Sequence, residues 1–157
     1  MARKTSSGIL IYRNKNSQLE FYLVHPGGPI FKNKDNGHWG IPKGEMHNDE
    51  DELACAIREV KEEIGLDLSG RNFKPLGSII QKGGKLVYAW ACEFNDDIAF
   101  DNSNSLVEMQ WPPIWGKKIV FPEIDKGEFF PGDDARIKMK PAQFEFIERL
   151  KKELDAS

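Results

Sequence analysis

Cysteine is scarce in this sequence. The 157 residues include two cysteines, Cys55 and Cys92, which lie far apart, with no C-x-x-C pair and no neighbouring Cys/His cluster. The sequence therefore has too few cysteines for a disulfide framework and no Cys/His cluster for a structural zinc site. We expect both thiols to pack as small apolar side chains in a protein of a reducing compartment.

Long apolar runs are also missing. The apolar stretch at residues 9–12 is too short for the core of a signal peptide. Nothing in the sequence approaches the roughly 20 apolar residues that a transmembrane helix needs. We therefore expect a cytoplasmic protein that does not associate with a membrane.

An excess of positive charge is absent as well, since the formal net charge is −3. Proteins that bind a nucleic-acid backbone usually carry a broad basic surface, so we expect no nucleic-acid partner. A small anionic ligand would need local neutralisation by a metal ion and a few lysines or arginines. With 39% hydrophobic and 30% charged residues, the chain suits a single compact domain of residues 1–157.

What the sequence does contain is one amphipathic stretch within residues 44–66. At about 100° of rotation per residue, four aliphatic residues share a narrow stripe: Leu53, Ile57, Val60 and Ile64. Three acidic residues cluster on the roughly opposite face: Glu59, Glu62 and Glu63. The pattern predicts a helix that buries one side and presents three carboxylates on the other. On spacing alone, these carboxylates also fit an ordinary solvated helix face.

The three carboxylates have a chemical consequence if they are not simply solvated. Helical residues three and four positions apart are neighbours, so unpaired glutamates there repel one another. A divalent cation would remove that repulsion, and hard oxygen ligands without thiols or imidazoles favour Mg²⁺, with Mn²⁺ as a possible substitute. Because Mg²⁺ usually completes its shell with water and substrate phosphates, the stretch predicts a phosphate-bearing ligand.

The order of residues around the acids forms a longer motif. It runs as follows: Gly44, five residues, Glu50, seven residues, Arg58-Glu59, Val60, one residue, Glu62-Glu63, one residue, Gly65, Leu66. This spacing resembles the Nudix box, G-x5-E-x7-R-E-U-x-E-E-x-G-U with U aliphatic, and no fixed position is missing. The chain is therefore similar to the Nudix hydrolase family.

The resemblance implies a fold and a reaction. Strands before the box helix, strands after it and a closing helix agree with the α+β class, here a Nudix-like α/β/α sandwich with a mixed β-sheet. The implied activity is metal-dependent hydrolysis of a diphosphate (P-O-P) linkage, in which a metal-activated water attacks phosphorus. The implied substrate is a nucleoside polyphosphate, a dinucleoside polyphosphate or a related nucleoside diphosphate compound.

The resemblance also assigns roles inside the box. Glu59, Glu62 and Glu63 would hold the metal, and Arg58 would pair with acids of the box. Gly65 would end the helix, where a glycine commonly does so. Glu50 would position or supplement the site, although simple solvation of this residue fits the sequence too.

Residues 39–44 lead into the box with a Trp-Gly-Ile-Pro-Lys-Gly sequence. The Pro-Lys-Gly part is similar to Nudix enzymes that act on dinucleoside polyphosphates, and to relatives described as predicted nucleoside triphosphate pyrophosphohydrolases. Lys43 would contact phosphate, through its ammonium group or its backbone carbonyl, and Gly44 would allow close approach. Trp39 would stack on a base, unless it is buried in the core like most aromatic residues.

The base that takes the proton from the attacking water is left open by the sequence. It is either a box glutamate, such as Glu59 or Glu62, or an acid outside the box. Of the acids outside, we prefer Glu123 over Glu108 and Glu128, because many relatives carry an acid ahead of an aromatic-ended strand. An alternative function is a catalytically silent Nudix-fold module that binds a nucleotide and has a regulatory role. A structural domain with a merely soluble acidic helix is a further alternative.

Secondary structure is predicted around the box as well. Strands are expected at residues 7–13, 20–25, 39–42, 73–81, 86–94, 106–111, 117–121 and 126–130. The first of them is expected to be central because it is almost continuously apolar. Asn48 or Asp49 is expected to cap the box helix. A helical turn at residues 133–139 and a final helix at 141–154, beginning with Pro141, complete the prediction.

Overall fold

A mixed β-sheet between helices forms the protein. The computed structural model describes residues 4–156, and its elements follow in chain order: β1 Thr5–Lys15, β2 Gln18–Pro26, β3 Lys43–Glu45, α1 Glu52–Ile64, β4 Lys74–Ile80, β5 Leu86–Glu93, β6 Leu106–Trp111, β7 Lys117–Pro122, β8 Ile124–Pro131, α2 Gly132–Lys138 and α3 Pro141–Ala156. All the predicted strands except that at residues 39–42 are confirmed within a few residues, as are both C-terminal helices.

The main sheet has the strand order β4-β5-β1-β2-β8, and β3 pairs with the first part of β1. β1 runs parallel to β5 and antiparallel to β2 and β3, which makes the sheet mixed. β6 and β7 form a separate two-stranded hairpin. The prediction that the first strand is central is confirmed, and burial of residues 6–12 on both faces explains its continuous apolarity.

Each face of the sheet is covered by a helical layer. On one face, Val60 and Ile64 of α1 pack in a buried cluster with Ile9 and Ile11. On the other face, α3 packs through a buried cluster with alternate residues of β1: Phe146, Ile147 and Leu150 with Leu10 and Tyr12. Alternation along β1 thus supplies both cores, and the expected α/β/α sandwich is confirmed.

The box helix differs from the prediction at its first turn. Asp51 is the N-cap, and its Oδ1 accepts a hydrogen bond of 2.7 Å from the Ala54 amide. Asp49 is held at φ 65°, a turn conformation that precedes the cap. The prediction of Asn48 or Asp49 is therefore wrong by two or three residues. The predicted end is confirmed, because Gly65 adopts φ 74° and donates its amide to the Lys61 carbonyl.

The segment before the box is also different from the predicted strand at residues 39–42. It makes isolated bridges, Trp39 with Met139 and Gly40 with Val24, and the strand proper is β3, which begins at Lys43. Within residues 4–156, no helix is both long and apolar enough to cross a membrane. Cys55 and Cys92 are buried, as expected for small apolar side chains.

Candidate functional site

A cleft of about 460 Å³ opens where α1, β3 and the start of β8 meet. We call it the charged cleft, because five glutamates and three lysines line it: Glu45, Glu59, Glu62, Glu63 and Glu123, with Lys43, Lys85 and Lys140. The glutamates come mainly from α1, and the lysines come from β3, the β4–β5 turn and the segment before α3. The fold therefore brings together acids and bases from distant parts of the sequence.

The three acids of the box helix are not equally accessible. The side chain of Glu62 is 54% exposed and that of Glu59 is 13% exposed, while Glu63 is 6% exposed as a residue. The expectation of three carboxylates on a solvent face is therefore corrected. The acidic face of α1 packs toward β3 and forms one wall of the cleft, so burial increases from Glu62 to Glu63.

Arg58 organises the outer part of this wall. Its guanidinium donates two hydrogen bonds to the Glu50 carboxylate, of 2.6 and 2.9 Å. It also donates to Glu59 at 2.8 Å, to Glu62 at 3.1 Å and to the Glu45 carbonyl at 3.2 Å. The guanidinium thus joins the loop before α1 to the acids of the helix, and it fixes Glu50 outside the cleft as the anchor of that contact.

Glu63 and Glu123 form the inner part of the wall. Glu63 accepts a hydrogen bond of 3.2 Å from the Lys43 amide, and Glu123 accepts one of 2.9 Å from the Ser105 hydroxyl. Burial raises the pKa of the Glu63 carboxyl well above its usual range, and the neighbouring charge of Glu123 raises it further. Two carboxyl groups held this close favour a shared proton or cation between them.

Gly44 allows β3 to approach the acids. A Cβ atom at this position would lie 1.9 Å from Oε2 of Glu59, so the Glu59 carboxylate or β3 would have to move. The absence of a side chain, rather than an unusual backbone conformation, is what the site requires here. The glycine of the box therefore leaves room for the Glu59 carboxylate.

Three lysines line the same cleft, and we call them the lysine wall: Lys43, Lys85 and Lys140. The pKa of the Lys43 ammonium is lowered to about 8, first by burial and then by the charges of Lys85 and Lys140, while Glu63 and Glu123 act in the other direction. The pKa of Lys140 is also lowered, by burial and by Lys85. Three ammonium groups crowded in this way favour an anion between them.

Lys85 and Lys140 were not identified from the sequence. Lys85 belongs to the turn between β4 and β5, and Lys140 precedes the proline that starts α3. Neither position has a local motif, and only the folding of the sheet and of α3 brings them to the cleft. No sequence signal in this chain would have singled them out.

The donor set of the cleft fits a hard divalent cation. Glu59, Glu62, Glu63 and Glu123 supply carboxylate oxygens of the type that Mg²⁺ and Mn²⁺ prefer, and the open space at Gly44 keeps the Glu59 carboxylate inside. Among residues 4–156, no three His, Cys, Asp or Glu side chains stand as a ready-made metal-binding group. Arg58 pairs with two of the four acids, so a cation would have to share them with the guanidinium.

Trp39 does not line the cleft. Its residue is 2% exposed, its indole N–H donates to Asp35 at 2.7 Å, and its ring packs edge-on against Phe130 with centroids 5.0 Å apart. The structure therefore places Trp39 in the core, where its N–H finds a partner, and it is not positioned to stack on a base. Lys43 and Gly44, the other two residues predicted to bind substrate, do line the cleft.

Of the three acids considered as a base outside the box, Glu123 lines the cleft. Glu108 pairs with Lys118 on the β6–β7 hairpin at 3.4 Å, and Glu128 is an exposed residue of β8. The position of Glu123 immediately before β8 places its side chain beside Glu63.

Comparison with known proteins gives three findings. The NUDIX domain family model matches residues 2–150. Over 61 residues, 39% of this chain and 40% of the relative, the chain is 38% identical to an asymmetrical bis(5'-nucleosyl)-tetraphosphatase of Caenorhabditis elegans. Over 38 residues, 24% of this chain and 5% of the relative, it is 53% identical to mRNA decapping complex subunit 2 of Schizosaccharomyces pombe. The chain thus aligns with less than half the length of these two relatives.

A solved structure shares the fold along nearly the whole chain. The crystal structure of a C. elegans Ap4A hydrolase binary complex superposes with a TM-score of 0.70 and 21% identity, covering 97% of this chain and 99% of that one. At this identity, the similarity confirms the fold.

Proposed function

The chain belongs to the NUDIX domain family, and on that premise we propose that it is a Mg²⁺-dependent pyrophosphohydrolase. Its proposed substrate is a nucleoside polyphosphate, a dinucleoside polyphosphate or a related nucleoside diphosphate compound. The observation that carries the proposal is the meeting of a carboxylate wall and a lysine wall in one cleft. Lysines alone would suit any anion, and carboxylates alone would suit any cation. Together they suit a phosphate chain that binds with a metal ion.

The lysine wall binds the phosphate chain in this proposal. Lys43, Lys85 and Lys140 come from three separate elements, so they can contact different phosphate groups. Burial and then mutual repulsion lower the pKa of Lys43 and Lys140, and an anion between them offsets the repulsion. Positioning of this kind, with charge neutralisation, is the main contribution of a protein to phosphoryl transfer.

The carboxylate wall holds the cation. Glu59, Glu62 and Glu63 are the proposed ligands, and Arg58 orients the first two of them. When bound, Mg²⁺ lowers the pKa of a bound water and neutralises charge on the phosphates, and Mn²⁺ would serve as a substitute.

Glu123 is the proposed acceptor of the proton from the attacking water. The Ser105 hydroxyl holds one of its oxygens, and its carboxylate lies beside Glu63 at the inner end of the cleft. A base must reach the proton that it removes, and among residues 4–156 Glu123 is the acid outside the box that lines the cleft. A box glutamate remains the second assignment for this role.

The choice of substrates to test follows from the relatives. One relative is named a bis(5'-nucleosyl)-tetraphosphatase, so diadenosine polyphosphates are tested first. Nucleoside triphosphates, nucleotide sugars and diphosphoinositols complete the panel, each with Mg²⁺ or with EDTA. Release of phosphate-containing products is followed for each compound.

We expect turnover with Mg²⁺ that is lost with EDTA. Glu62→Gln and Glu63→Gln should each lower kcat/KM by at least about 100-fold, and Glu123→Gln by about 100- to 10,000-fold. The matched control is Glu148→Gln, which changes an exposed acid of α3 that does not line the cleft. Unchanged rates in the two box variants would overturn the proposal. Nucleotide binding without turnover in the wild type would instead favour a silent nucleotide-binding module.

A further inference from the structure

A second cavity, of about 270 Å³, lies beside the charged cleft, between residues 26–31 and the β6–β7 hairpin. We call it the apolar pocket and define it by five of its lining residues: Ile30, Phe31, Val107, Met109 and Phe121. Among the lining residues that the structure describes, Glu123 is the one charged side chain. A cavity of this character favours an apolar or aromatic group.

One face of the hairpin forms the floor of the pocket. In the β6–β7 register Val107 lies opposite Phe121, so both side chains point to the same side, and Met109 follows on that side by strand alternation. The neighbouring residues Leu106 and Val120 point the other way and are 59% and 62% exposed. The pocket face is therefore the more enclosed of the two faces of the hairpin.

The loop that forms the opposite wall is closely fitted to the hairpin. A Cβ atom on Gly28, which adopts φ +91°, would lie 2.4 Å from the Phe121 ring. One on Gly27 would lie 2.1 Å from the Pro122 carbonyl oxygen. Since only glycine allows these approaches, the loop backbone rests directly on β7 and the pocket is a built feature of the fold.

The apolar pocket adjoins the charged cleft. Pro26 and Glu123 line both cavities. Phe31 of the pocket also lies next to His38 of the cleft, with ring centroids 6.2 Å apart. A ligand with phosphates among the lysines can therefore extend a flat apolar group between Phe31 and Phe121.

We propose that the apolar pocket holds the base of a nucleotide whose phosphates occupy the charged cleft. This inference rests on the proposed function and adds a specificity to it. A nucleobase offers an aromatic face to Phe121 and Met109, and it is joined to phosphate at the distance of a ribose. An acyl chain or an apolar peptide side chain would leave the lysines and glutamates of the adjoining cleft without partners.

The composition of the pocket also predicts which differences between bases it can detect. The five defining side chains offer no hydrogen-bond donor, and Glu123, which also lines the pocket, is the proposed acceptor of the proton from the attacking water. The pocket therefore contacts the face of a base and does not read its edge. Sites without such groups discriminate weakly between ligands that differ in polar substituents. The dissociation constants of adenine and guanine nucleotides should therefore differ less from each other than either differs from that of ribose 5-phosphate. Loss of the base should weaken binding by about tenfold or more, in line with stacking contributions.

Methionine methyl signals provide the first test, and they do not depend on activity. The protein contains four methionines, and ¹³C-methyl labelling allows Met109 in the pocket to be compared with Met139, which is 1% exposed in the core. AMP and GMP should each shift the Met109 signal saturably, without moving that of Met139. Ribose 5-phosphate should bind at least about tenfold more weakly or leave Met109 unmoved. Equal Met109 shifts with ribose 5-phosphate and AMP, or none with AMP, would overturn the inference.

Two valine-to-phenylalanine substitutions, on opposite faces of the β6–β7 hairpin, provide the second test. Val107→Phe fills the pocket and should weaken AMP binding at least about tenfold. It should also lower the ratio of kcat/KM for ATP to that for ribose 5-triphosphate by about tenfold. Val120→Phe adds the same bulk on the exposed face of the hairpin and should change neither quantity. Equal effects of the two variants would contradict the assignment, and an unchanged Met139 signal verifies that each variant is folded.

The two proposals fail in different ways. If no compound of the panel is hydrolysed but AMP still shifts Met109, the proposed function fails and the base pocket stands. If hydrolysis depends on Mg²⁺ and on Glu62 but Met109 does not respond to AMP or GMP, the base pocket alone is overturned.

Discussion

A single added methyl group at Gly44 would displace a carboxylate of the charged cleft. In Gly44→Ala, the new methyl group would lie 1.9 Å from Oε2 of Glu59, so Glu59 or β3 must move. Because displacements near 1 Å in a catalytic site cost about 100-fold, we expect kcat/KM to fall by about that factor. The measurement is steady-state kinetics with the best substrate of the panel.

The matched control for this glycine is Gly70→Ala. Gly70 adopts φ +80° but has open space around it, so alanine there strains the backbone without moving an acid. We expect a loss of about 1 kcal/mol in the free energy of unfolding and unchanged kinetics. Similar kinetic losses in both variants would indicate a general effect of glycine replacement and not the displacement of Glu59.

Glu50 carries a pH dependence of stability. Hydrogen bonds from Arg58 lower the pKa of its carboxyl from 4.5 to about 2, helped by the His47 amide. A carboxyl whose pKa is lower in the folded state stabilises the protein fully above its unfolded pKa, and the contribution disappears as the pH falls toward the folded value. The difference in Tm between wild type and Glu50→Gln should therefore shrink as the pH falls from about 4.5 to about 2.

The control for the Glu50 prediction is an Arg58→Met background. Without the guanidinium, the main cause of the lowered pKa is gone, so Glu50→Gln should show a much weaker pH dependence. Thermal unfolding followed by circular dichroism measures both differences. A Tm difference that stays constant across this range in the wild-type background would show that the Glu50–Arg58 contact does not stabilise the fold.

At the scale of single elements, the start of α1 gives the next prediction. The Asp51 carboxylate accepts the Ala54 amide, one of the donors that the first turn of a helix leaves without a partner. Asp51→Ala should lower the free energy of unfolding by about 1 kcal/mol, measured by urea denaturation. Asn48→Ala, at an exposed position before the cap, should stay within about 0.5 kcal/mol of wild type. If Asn48→Ala destabilised the protein more than Asp51→Ala, the cap would be Asn48, as the sequence predicted.

The displaced cap shows how far local signals in this sequence reach. Asn48, Asp49 and Asp51 are all good capping residues, so composition alone could not choose among them. The Glu50–Arg58 contact and the left-handed turn at Asp49 leave Asp51 as the cap. Only the folded loop reveals these two features. By contrast, the end of α1 was predictable, because Gly65 is the one residue there that easily adopts φ > 0.

At the scale of the whole molecule, local sequence signals predict one part of the charged cleft and miss the other. The acidic wall was predictable because Glu59, Glu62 and Glu63 share one helix with fixed geometry. The lysine wall was not, since Lys85 and Lys140 reach the cleft only through the pairing of β4 with β5 and the placement of α3. The parallel pairing of β1 with β5 is another such feature, because nothing within either strand specifies its distant partner.

The two walls together predict that Mg²⁺ stabilises the folded protein, because only the fold gathers the carboxylates. Mutual repulsion of these acids is a cost that a bound cation removes, and ligands that bind only the native state raise stability by mass action. At a free Mg²⁺ concentration 100 times the dissociation constant, the gain is about 2.7 kcal/mol. For a chain of 157 residues, this corresponds to a rise in Tm of about 5 to 10 °C.

Differential scanning fluorimetry with Mg²⁺ or EDTA measures the shift without any substrate. Glu62→Gln and Glu63→Gln should reduce it, and Glu148→Gln should not. An equal Tm with Mg²⁺ and with EDTA at millimolar concentration would show that the acids of α1 do not bind the ion in the free protein.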